Sequence, residues 1–269
     1  MTPDYVGAEL YILERLDKSL PKDLFYHGLH HTRDVYGAAL LIAKSEKLTH
    51  EQLNLLKIAT MYHDAGFISH YKNHEEAGCK LARKTLPKFG FDEKHIKIIE
   101  GMIQATKIPQ TPTTLLERII CDADLDYLGR NDFKDIAKTL FDELKVYMNV
   151  KDEKIWNTIQ LNFLKNHKYH TEFCRKRRES KKQQHLKEII KIVESYDNDK
   201  LQTLDKQLAG RKSNGSSKTQ APKKKANQLP KSSAIADKPK ARLKQPAKKK
   251  VAAAKKTIAK APAKKAKAK

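Results

Sequence analysis

The pair His63-Asp64, at the end of an apolar helical run, limits the possible folds more than any other feature of the chain. The spacing of Thr49 and Gln52 predicts a capping box at the start of that helix. Two titratable side chains on a buried helix end are costly unless something pairs with them. A divalent metal is the usual remedy, whereas an isolated pair of this kind is more often a hydrogen-bonded helix end. The residues around the pair therefore decide between these two interpretations.

Apolar residues recur at helical spacing through most of residues 1–205, and no run alternates in the manner of a strand. The predicted helices include one over about residues 23–47 and a last one over about residues 171–208. Their apolar spacing does not follow a heptad, so an irregular bundle is favoured over a coiled coil. The predicted fold class is an all-α helical bundle formed by residues 1–205.

Residues 206–269 differ in composition from the rest of the chain. They contain 22 basic residues and one acidic residue, whereas residues 1–205 hold 33 basic and 31 acidic residues. This segment is similar to the Lys/Ala/Pro tails of linker histones, and it lacks aromatic residues, so it is predicted to be disordered. We expect it to bind nucleic acid without sequence preference, and the basic residues of 175–182 would extend the same basic surface into the last helix. A solvated tail without a partner is the alternative.

Signals for export or membrane insertion are not evident in the sequence. The first 20 residues carry several charges, and no window reaches the roughly 18 uncharged apolar residues that a membrane span needs. Cys79, Cys121 and Cys174 lack paired spacing and are interpreted as small buried residues. A soluble cytoplasmic protein without a membrane partner is expected.

Two further clusters supply side chains that bind metals. His27 and His31 are four residues apart and are predicted to share one face of a helix. Three carboxylates, Asp122, Asp124 and Asp126, interrupt an apolar helix, and such a cluster is expected near a cation because like charges resist joint burial. The helical angles do not decide whether Asp122 or Asp124 faces inward.

The order of these residues resembles the H…HD…D signature of the HD-domain superfamily of metal-dependent phosphohydrolases. The resemblance covers residues 27–129 and is closest to the small single-domain bacterial form. Three segments carry it: Tyr26-His27-x-x-x-His31-Thr32, Tyr62-His63-Asp64-x-Gly66-Phe67 and Asp122-Ala123-Asp124-Leu125-Asp126-Tyr127-Leu128-Gly129. The resemblance implies an all-α bundle with the metal at its centre, which agrees with the helical periodicity.

The resemblance implies four metal ligands: His31, His63, Asp64 and Asp124. Asp124 is chosen over Asp122 because the last aspartate of the family follows a small residue. The resemblance also places His27 where related cyclic-nucleotide phosphodiesterases have a histidine that protonates the leaving oxygen, and it places Asp64 close to the attacking water. Two imidazoles and two carboxylates suit one divalent ion and do not select among Mn, Fe, Ni, Zn and Mg.

Three more residues are candidates for the same site. Lys107 is a candidate phosphate-binding residue, and the alternative is an exposed lysine at a helix end. His74 and Glu75 are candidates for binding substrate or a second metal and for proton transfer. The alternative for this pair is a helix start favoured by the helix dipole.

Two functions of different classes are compatible with the sequence. The first is a metal-dependent phosphohydrolase or phosphodiesterase that acts on a small nucleotide-like phosphate ester by metal-activated water. The second is a non-catalytic nucleic-acid-binding protein that uses the basic tail and keeps the helical domain as a scaffold. The enzyme is favoured because every implied ligand is present, whereas a degenerate copy should have lost at least one.

Overall fold

The computed structural model describes residues 2–212, with side chains described over residues 2–196. This part of the chain forms α-helices and short 3-10 helices and contains no strand, which confirms the predicted all-α class. The α-helices are α1 (Tyr5–Ser19), α2 (Leu29–Ala43), α3 (His50–Tyr62), α4 (His74–Thr85), α5 (Glu93–Ala105), α6 (Leu115–Asp124), α7 (Phe133–Tyr147), α8 (Glu153–Asn166), α9 (Glu172–Arg177) and α10 (Glu179–Lys212). The 3-10 helices span Ala65–Ile68, Leu86–Phe89 and Asp126–Gly129.

Capping residues set where two of the helices around the site begin. The hydroxyl of Thr49 accepts a hydrogen bond from the amide of Gln52 at 3.2 Å, and the Gln52 side chain accepts one from the amide of Thr49 at 2.9 Å. Thr114 and Glu117 form the equivalent capping box at the start of α6. Both pairs satisfy amides that a helix start leaves without a partner, so α3 and α6 begin where their sequences predict.

Helix α2 begins at Leu29, later than the predicted start near residue 23. The carboxylate of Glu143 on α7 accepts hydrogen bonds from the amides of Tyr26 at 2.8 Å and His27 at 3.0 Å. These amides are satisfied by a distant side chain, so the segment before Gly28 does not need to be helical. His27 therefore precedes α2, and the prediction that it shares a helix face with His31 is wrong.

The predicted last helix over residues 171–208 is divided at Arg178 into α9 and α10. The guanidinium of Arg178 donates to both carboxylate oxygens of Asp126, at 2.7 and 3.2 Å. Gly129 lies so close to Arg178 that a Cβ added to it would stand 2.5 Å from the Arg178 backbone oxygen. These contacts with the 3-10 helix Asp126–Gly129 hold Arg178 outside a regular helix.

Two of the basic residues in the run 175–182, which was expected to extend the basic surface, are engaged in contacts within the domain. Arg178 is paired with Asp126, and Lys182 is 1% exposed, with its ammonium donating to the backbone oxygen of His167 at 2.8 Å. Two of the basic residues of this run therefore stabilise the fold and are not free to contact a nucleic acid.

Two apolar clusters build the core of the domain. The larger cluster consists mainly of residues from α1 to α6, and α2 packs against both α3 and α6 within it. The smaller cluster joins residues of α7, α8 and α10 to the 3-10 helix Asp126–Gly129. The contacts of α2 with α3 and α6 bring together the three helices that carry the predicted metal ligands.

The predictions for the cysteines, for membrane spans and for the basic tail can be compared with the described residues. All three cysteines are buried and free, as predicted. Within residues 2–212, no helix combines the length and apolarity needed to cross a membrane. Residues 206–212 of the predicted tail belong to α10, and the remainder of the tail, residues 213–269, lies outside the described residues. The disorder of the tail and its boundary at residue 206 remain predictions.

Candidate metal centre

Four polar side chains meet where α2, α3 and α6 pack together. His31 lies on α2, His63 and Asp64 directly follow α3, and Asp124 is the last residue of α6. The Nε2 atom of His31 is 3.1 Å from Oδ1 of Asp124 and 3.5 Å from Oδ2 of Asp64. The Nε2 atom of His63 is 3.2 Å from Oδ2 of Asp64 and 3.6 Å from Oδ1 of Asp124. The structure thus brings together all four residues that the sequence resemblance implies as metal ligands.

The chemistry of these donors fits a divalent cation. The Nδ1 atom of His63 lies 2.8 Å from the backbone oxygen of Thr60, so Nδ1 carries a hydrogen and Nε2 faces the centre, where it offers a lone pair when the imidazole is neutral. Nε2 of His63 and Oδ2 of Asp64 are buried and have no hydrogen-bond partner among the described residues. One atom each from His31, His63 and Asp124 lies within 4.8 Å of the others, a spacing that a metal ion can bridge.

The charge at the centre also favours a cation. Burial by itself raises the pKa of Asp124, but the imidazoles of His31 and His63 outweigh burial and lower that pKa to about 2. Burial acts on Asp64 in the same direction, and His63 and His74 hold the pKa of its carboxyl well below the ordinary value. Both carboxylates are therefore ionised at neutral pH. Burial lowers the pKa of His63, but Asp64 and Asp124 outweigh burial and raise it well above its ordinary value, so a bound cation would take the place of the proton on His63.

The three aspartates of α6 and the following 3-10 helix have different partners in the structure, which answers the question of whether Asp122 or Asp124 faces the histidines. Asp122 is fully buried and accepts hydrogen bonds from the amide of His170 at 2.8 Å, and from the amide and hydroxyl of Thr171 at 2.7 and 2.6 Å. Asp126 binds Arg178. Of the three aspartates, Asp124 is the one that lies against His31 and His63. Asp122 instead holds the segment that leads into α9 through its hydrogen bonds with His170 and Thr171.

We expect Asp122→Asn to destabilise the domain without removing a metal ligand. The NH₂ group of asparagine would face one of the groups that now donate a hydrogen bond to Asp122. The donor left without an acceptor lowers the free energy of unfolding by about 1–3 kcal/mol. For a domain of this size, that loss lowers Tm by roughly 2–12 °C. Thermal unfolding in chelator and elemental analysis of the reloaded protein measure the two effects. Asp124→Asn is the matched variant, expected to keep its Tm within about 2 °C and to lose metal; the reverse pattern would contradict these roles.

His27 reaches the same site from a different part of the chain. Its Nδ1 atom lies 2.5 Å from Oε1 of Glu143, a carboxylate that also accepts a hydrogen bond from the hydroxyl of Tyr71 at 3.1 Å. Burial raises the pKa of Glu143, but His27 and the backbone amides outweigh burial and lower it. An ionised Glu143 therefore holds His27 through Nδ1 and leaves Nε2 for a ligand.

Glu143 is a site residue that the sequence reasoning missed. It is fully buried on α7, and it lies between Leu140 and Leu144 on the apolar side of that helix. A carboxylate at an apolar position of a helix indicates a buried acceptor, and this was the available signal. Its partners were not evident because they lie more than 70 residues away in the sequence.

His74 and Glu75 begin α4 directly beside the centre. The Nε2 atom of His74 is 3.4 Å from Oδ1 of Asp64 and 3.6 Å from Oε1 of Glu75, and Glu75 is 6% exposed. Gly66 makes this approach possible, because a Cβ added there would lie 1.8 Å from the backbone oxygen of His74. Gly66 thus permits the close packing of this segment against the start of α4.

Lys107 is the one sequence candidate that the structure does not bring to the site. Its ammonium lies 3.8 Å from a carboxylate oxygen of Glu76, and its side chain is 45% exposed. Thr106 and Ile108 line the cavity described below, but Lys107 does not. The alternative interpretation, an exposed lysine near a helix end, describes this position, and the phosphate-binding role of Lys107 stays a prediction without structural support.

A cavity of about 240 Å³ opens beside the centre. Its polar end is lined by His27, Asp64, His74, Glu75 and Asp124. The remaining walls are mostly apolar side chains contributed by the second apolar cluster and its neighbours: Leu125, Leu128, Phe133, Ala137, Leu140, Leu144, Trp156, Ile159, Phe163 and Leu164. A ligand in this cavity would contact the metal centre with one end and an apolar wall with the other.

An all-α domain with a buried centre of two histidines and two aspartates is the arrangement that the HD signature implies. The family model described as HD domain matches residues 28–126 of the chain, a segment that includes all four residues of the centre. The resemblance of residues 28–126 to the HD-domain superfamily, noted in the sequence, is therefore confirmed.

Comparison with individual proteins adds one solved structure. It is described as a "predicted HD superfamily hydrolase" from an uncultured Thermotogales bacterium. The two chains share 23% sequence identity with a TM-score of 0.48, over 71% of this chain and 93% of that chain. No curated protein matches the chain.

Proposed function

We propose that the domain hydrolyses a phosphate ester in a metal-dependent reaction, as a phosphohydrolase or phosphodiesterase. The observation that carries the proposal is the convergence of His31, His63, Asp64 and Asp124, with two of their ligand atoms buried and without a hydrogen-bond partner among the described residues. These four side chains would hold one divalent ion, and the donor set does not select among Mn, Fe, Ni, Zn and Mg. Such an ion, when bound, polarises a phosphoryl oxygen and makes water more acidic.

The residues around the centre supply proton transfer and orientation. His27, held through Nδ1 by Glu143, lines the cavity and presents Nε2 to a ligand, so it can donate a proton to the leaving oxygen. Asp64 lies within reach of the centre through one oxygen and of His74 through the other. His74 and Glu75 are therefore placed to accept or relay a proton from water at this end of the cavity.

The experiment that tests the proposal is an assay of the purified protein with each of the five metals and with chelator. Phosphomonoesters, phosphodiesters and cyclic nucleotides are compared, each ester with a good and a poor leaving group. We expect hydrolysis with at least one metal to exceed the chelated rate at least 100-fold, because the metal stabilises transition-state charge by several kcal/mol. No hydrolysis with any of the metals would refute the proposal.

The same assay tests the role of His27. In His27→Gln, turnover of the esters with poor leaving groups should fall at least tenfold, whereas turnover of those with good leaving groups should change little, because only a poor leaving group needs a proton. An equal loss for both kinds of ester would remove His27 as the proton donor.

The second candidate function is nucleic-acid binding by residues 206–269. The observation that favours it is the composition of this segment, with 22 basic residues and one acidic residue. We propose that it contacts phosphates without reading bases, because flexible lysines reach the backbone and not base edges. This binding is compatible with an active enzyme, since the proposed tail contains none of the residues of the metal centre.

A further inference from the structure

We infer, on the basis of the proposed phosphate-ester hydrolysis, that the substrate carries an aliphatic or aryl group in place of a nucleoside. The class of ligand is an alkyl or aryl phosphate ester of modest size. The cavity beside the metal centre, its apolar walls and its apolar mouth carry this inference.

The polar end of the cavity suits a single phosphoryl group. It offers the metal centre together with His27 and His74, and it also contains the carboxylates of Asp64, Asp124 and Glu75. No lysine or arginine is among the residues that line the described cavity. A polyphosphate would bring several negative charges close to these carboxylates with no basic side chain to balance them, so a substrate with one phosphoryl group is favoured.

The rest of the cavity is unsuited to a ribose and a base. Beyond the metal centre its walls are mainly aliphatic and aromatic, with Leu140, Leu144 and Phe163 among them. Sugar hydroxyls and base edges placed against such walls would lose their hydrogen bonds to water without replacement. An alkyl or aryl group loses none, and each methylene moved from water to an apolar wall raises affinity about fourfold.

Beyond the metal centre, four polar side chains line the cavity: Tyr26, Thr106, Tyr127 and Gln160. The hydroxyl of Thr106 already donates to the backbone oxygen of Ile103 at 2.8 Å, and the rings of Tyr26 and Tyr127 pack against each other with their centroids 5.7 Å apart. Gln160 is 9% exposed and donates through Nε2 to the side-chain oxygen of Asn157 at 3.0 Å. Asn157 in turn donates to the hydroxyl of Tyr196 on α10 at 2.6 Å. This chain of hydrogen bonds fixes the Gln160 amide, and its oxygen can accept one donor from a ligand. A single hydroxyl or amine on the organic group is therefore tolerated, but the several polar groups of a nucleoside are not.

The mouth of the cavity is apolar as well. Ile108 and Ile159 line it and are 54% and 39% exposed, although large aliphatic side chains are usually buried. A second cavity, of about 560 Å³, is lined by the same two isoleucines and also by Leu125 and Phe163, which line the first cavity as well. None of the residues of the metal centre lines this second cavity. Apolar side chains therefore form the part of the wall that the two cavities share.

The first test measures binding without relying on turnover. Trp156 lines the cavity and is the single tryptophan of the chain, so its fluorescence reports occupancy. Full-length protein with Mg²⁺ or Zn²⁺ is titrated with ethyl-, butyl- and hexylphosphonate and with the phosphonate isostere of a nucleoside monophosphate. We expect affinity to rise up to about fourfold for each added methylene, and hexylphosphonate to bind at least tenfold more tightly than the nucleoside ligand. No rise along the series, or tighter binding of the nucleoside ligand, overturns the inference.

Two variants on one helix locate the effect. Ile159→Asn changes the mouth of the cavity, and Ile155→Asn changes a residue one turn earlier that is 54% exposed and does not line it. Ile159→Asn should weaken hexylphosphonate at least fivefold and leave ethylphosphonate within twofold, and Ile155→Asn should change neither. Equal effects of the two variants would contradict binding at this mouth.

Failure of the inference and failure of the proposed function give different results. Selective binding of hexylphosphonate without hydrolysis of any ester would refute the proposed hydrolysis and leave the binding preference established. Hydrolysis of nucleotides with a kcat/KM equal to or above that of hexyl phosphate would support the hydrolysis and overturn the apolar substrate.

Discussion

Replacing His63 by alanine is expected to remove the bound metal and to lower phosphate-ester hydrolysis at least 100-fold. His63 is fully buried, and its Nε2 atom faces Asp64 and Asp124 with no hydrogen-bond partner in the part of the chain that the structure describes. Removing it takes away a metal ligand and with it the stabilisation of transition-state charge, an effect of several kcal/mol. Elemental analysis and kcat/KM, measured on the same preparations of wild type and variant, check the two parts of this result.

Two controls separate loss of the metal from loss of the fold. His70→Ala removes an exposed histidine seven residues further along, whose Nδ1 contacts only the neighbouring Ser69 among the described residues, so it should retain metal and activity. Asp124→Asn removes a ligand with little change in volume and should lose activity while its helical circular dichroism is unchanged. If wild type and His63→Ala contain equal metal after incubation with each of the five ions, the assignment of His63 as a ligand is wrong.

Deleting residues 213–269 is expected to abolish salt-sensitive nucleic-acid binding and to leave hydrolysis of a small ester within twofold. The deletion starts after Lys212, where α10 ends, and it removes 19 basic residues and one acidic residue. If the full chain neutralises about 6–10 phosphates, its affinity for mixed-sequence duplex DNA should fall roughly 10³–10⁵-fold between 50 and 200 mM salt. Titrations of the full and shortened chains at both salt concentrations measure this difference.

A variant of unchanged length is the matched control for this deletion. Glutamine replaces the lysines of two clusters, residues 223–225 and 248–250. If all six contact phosphates, the salt slope should decrease by about 5, because each phosphate contact contributes about 0.9. Equal binding by the full and shortened chains would show that the folded domain supplies the basic surface. Exposed basic residues of 175–182, such as Arg175 and Lys176, would then be the residues to replace.

Local sequence patterns were sufficient to predict the all-α class and the position of the His63-Asp64 pair at the end of α3. Apolar residues at helical spacing, together with the capping pairs Thr49-Gln52 and Thr114-Glu117, determine where α3 and α6 begin, because these interactions lie within a few residues. The cost of placing histidines and carboxylates in apolar helices indicated a shared cation, but the set His31, His63, Asp64 and Asp124 came from the resemblance to the HD signature.

Tertiary structure alone decided what depends on residues far apart in the chain. Asp122 and Asp124 are equivalent by helical angle, and they differ only because Thr171 and His170 bind one while His31 lies against the other. Glu143 holds His27 across 116 residues, a contact that delays the start of α2. The apolar cavity likewise forms only when α7 and α8 cover the metal centre. Hydrogen bonds and burial act over a few ångströms of space, so they distinguish residues that have the same periodicity in the sequence.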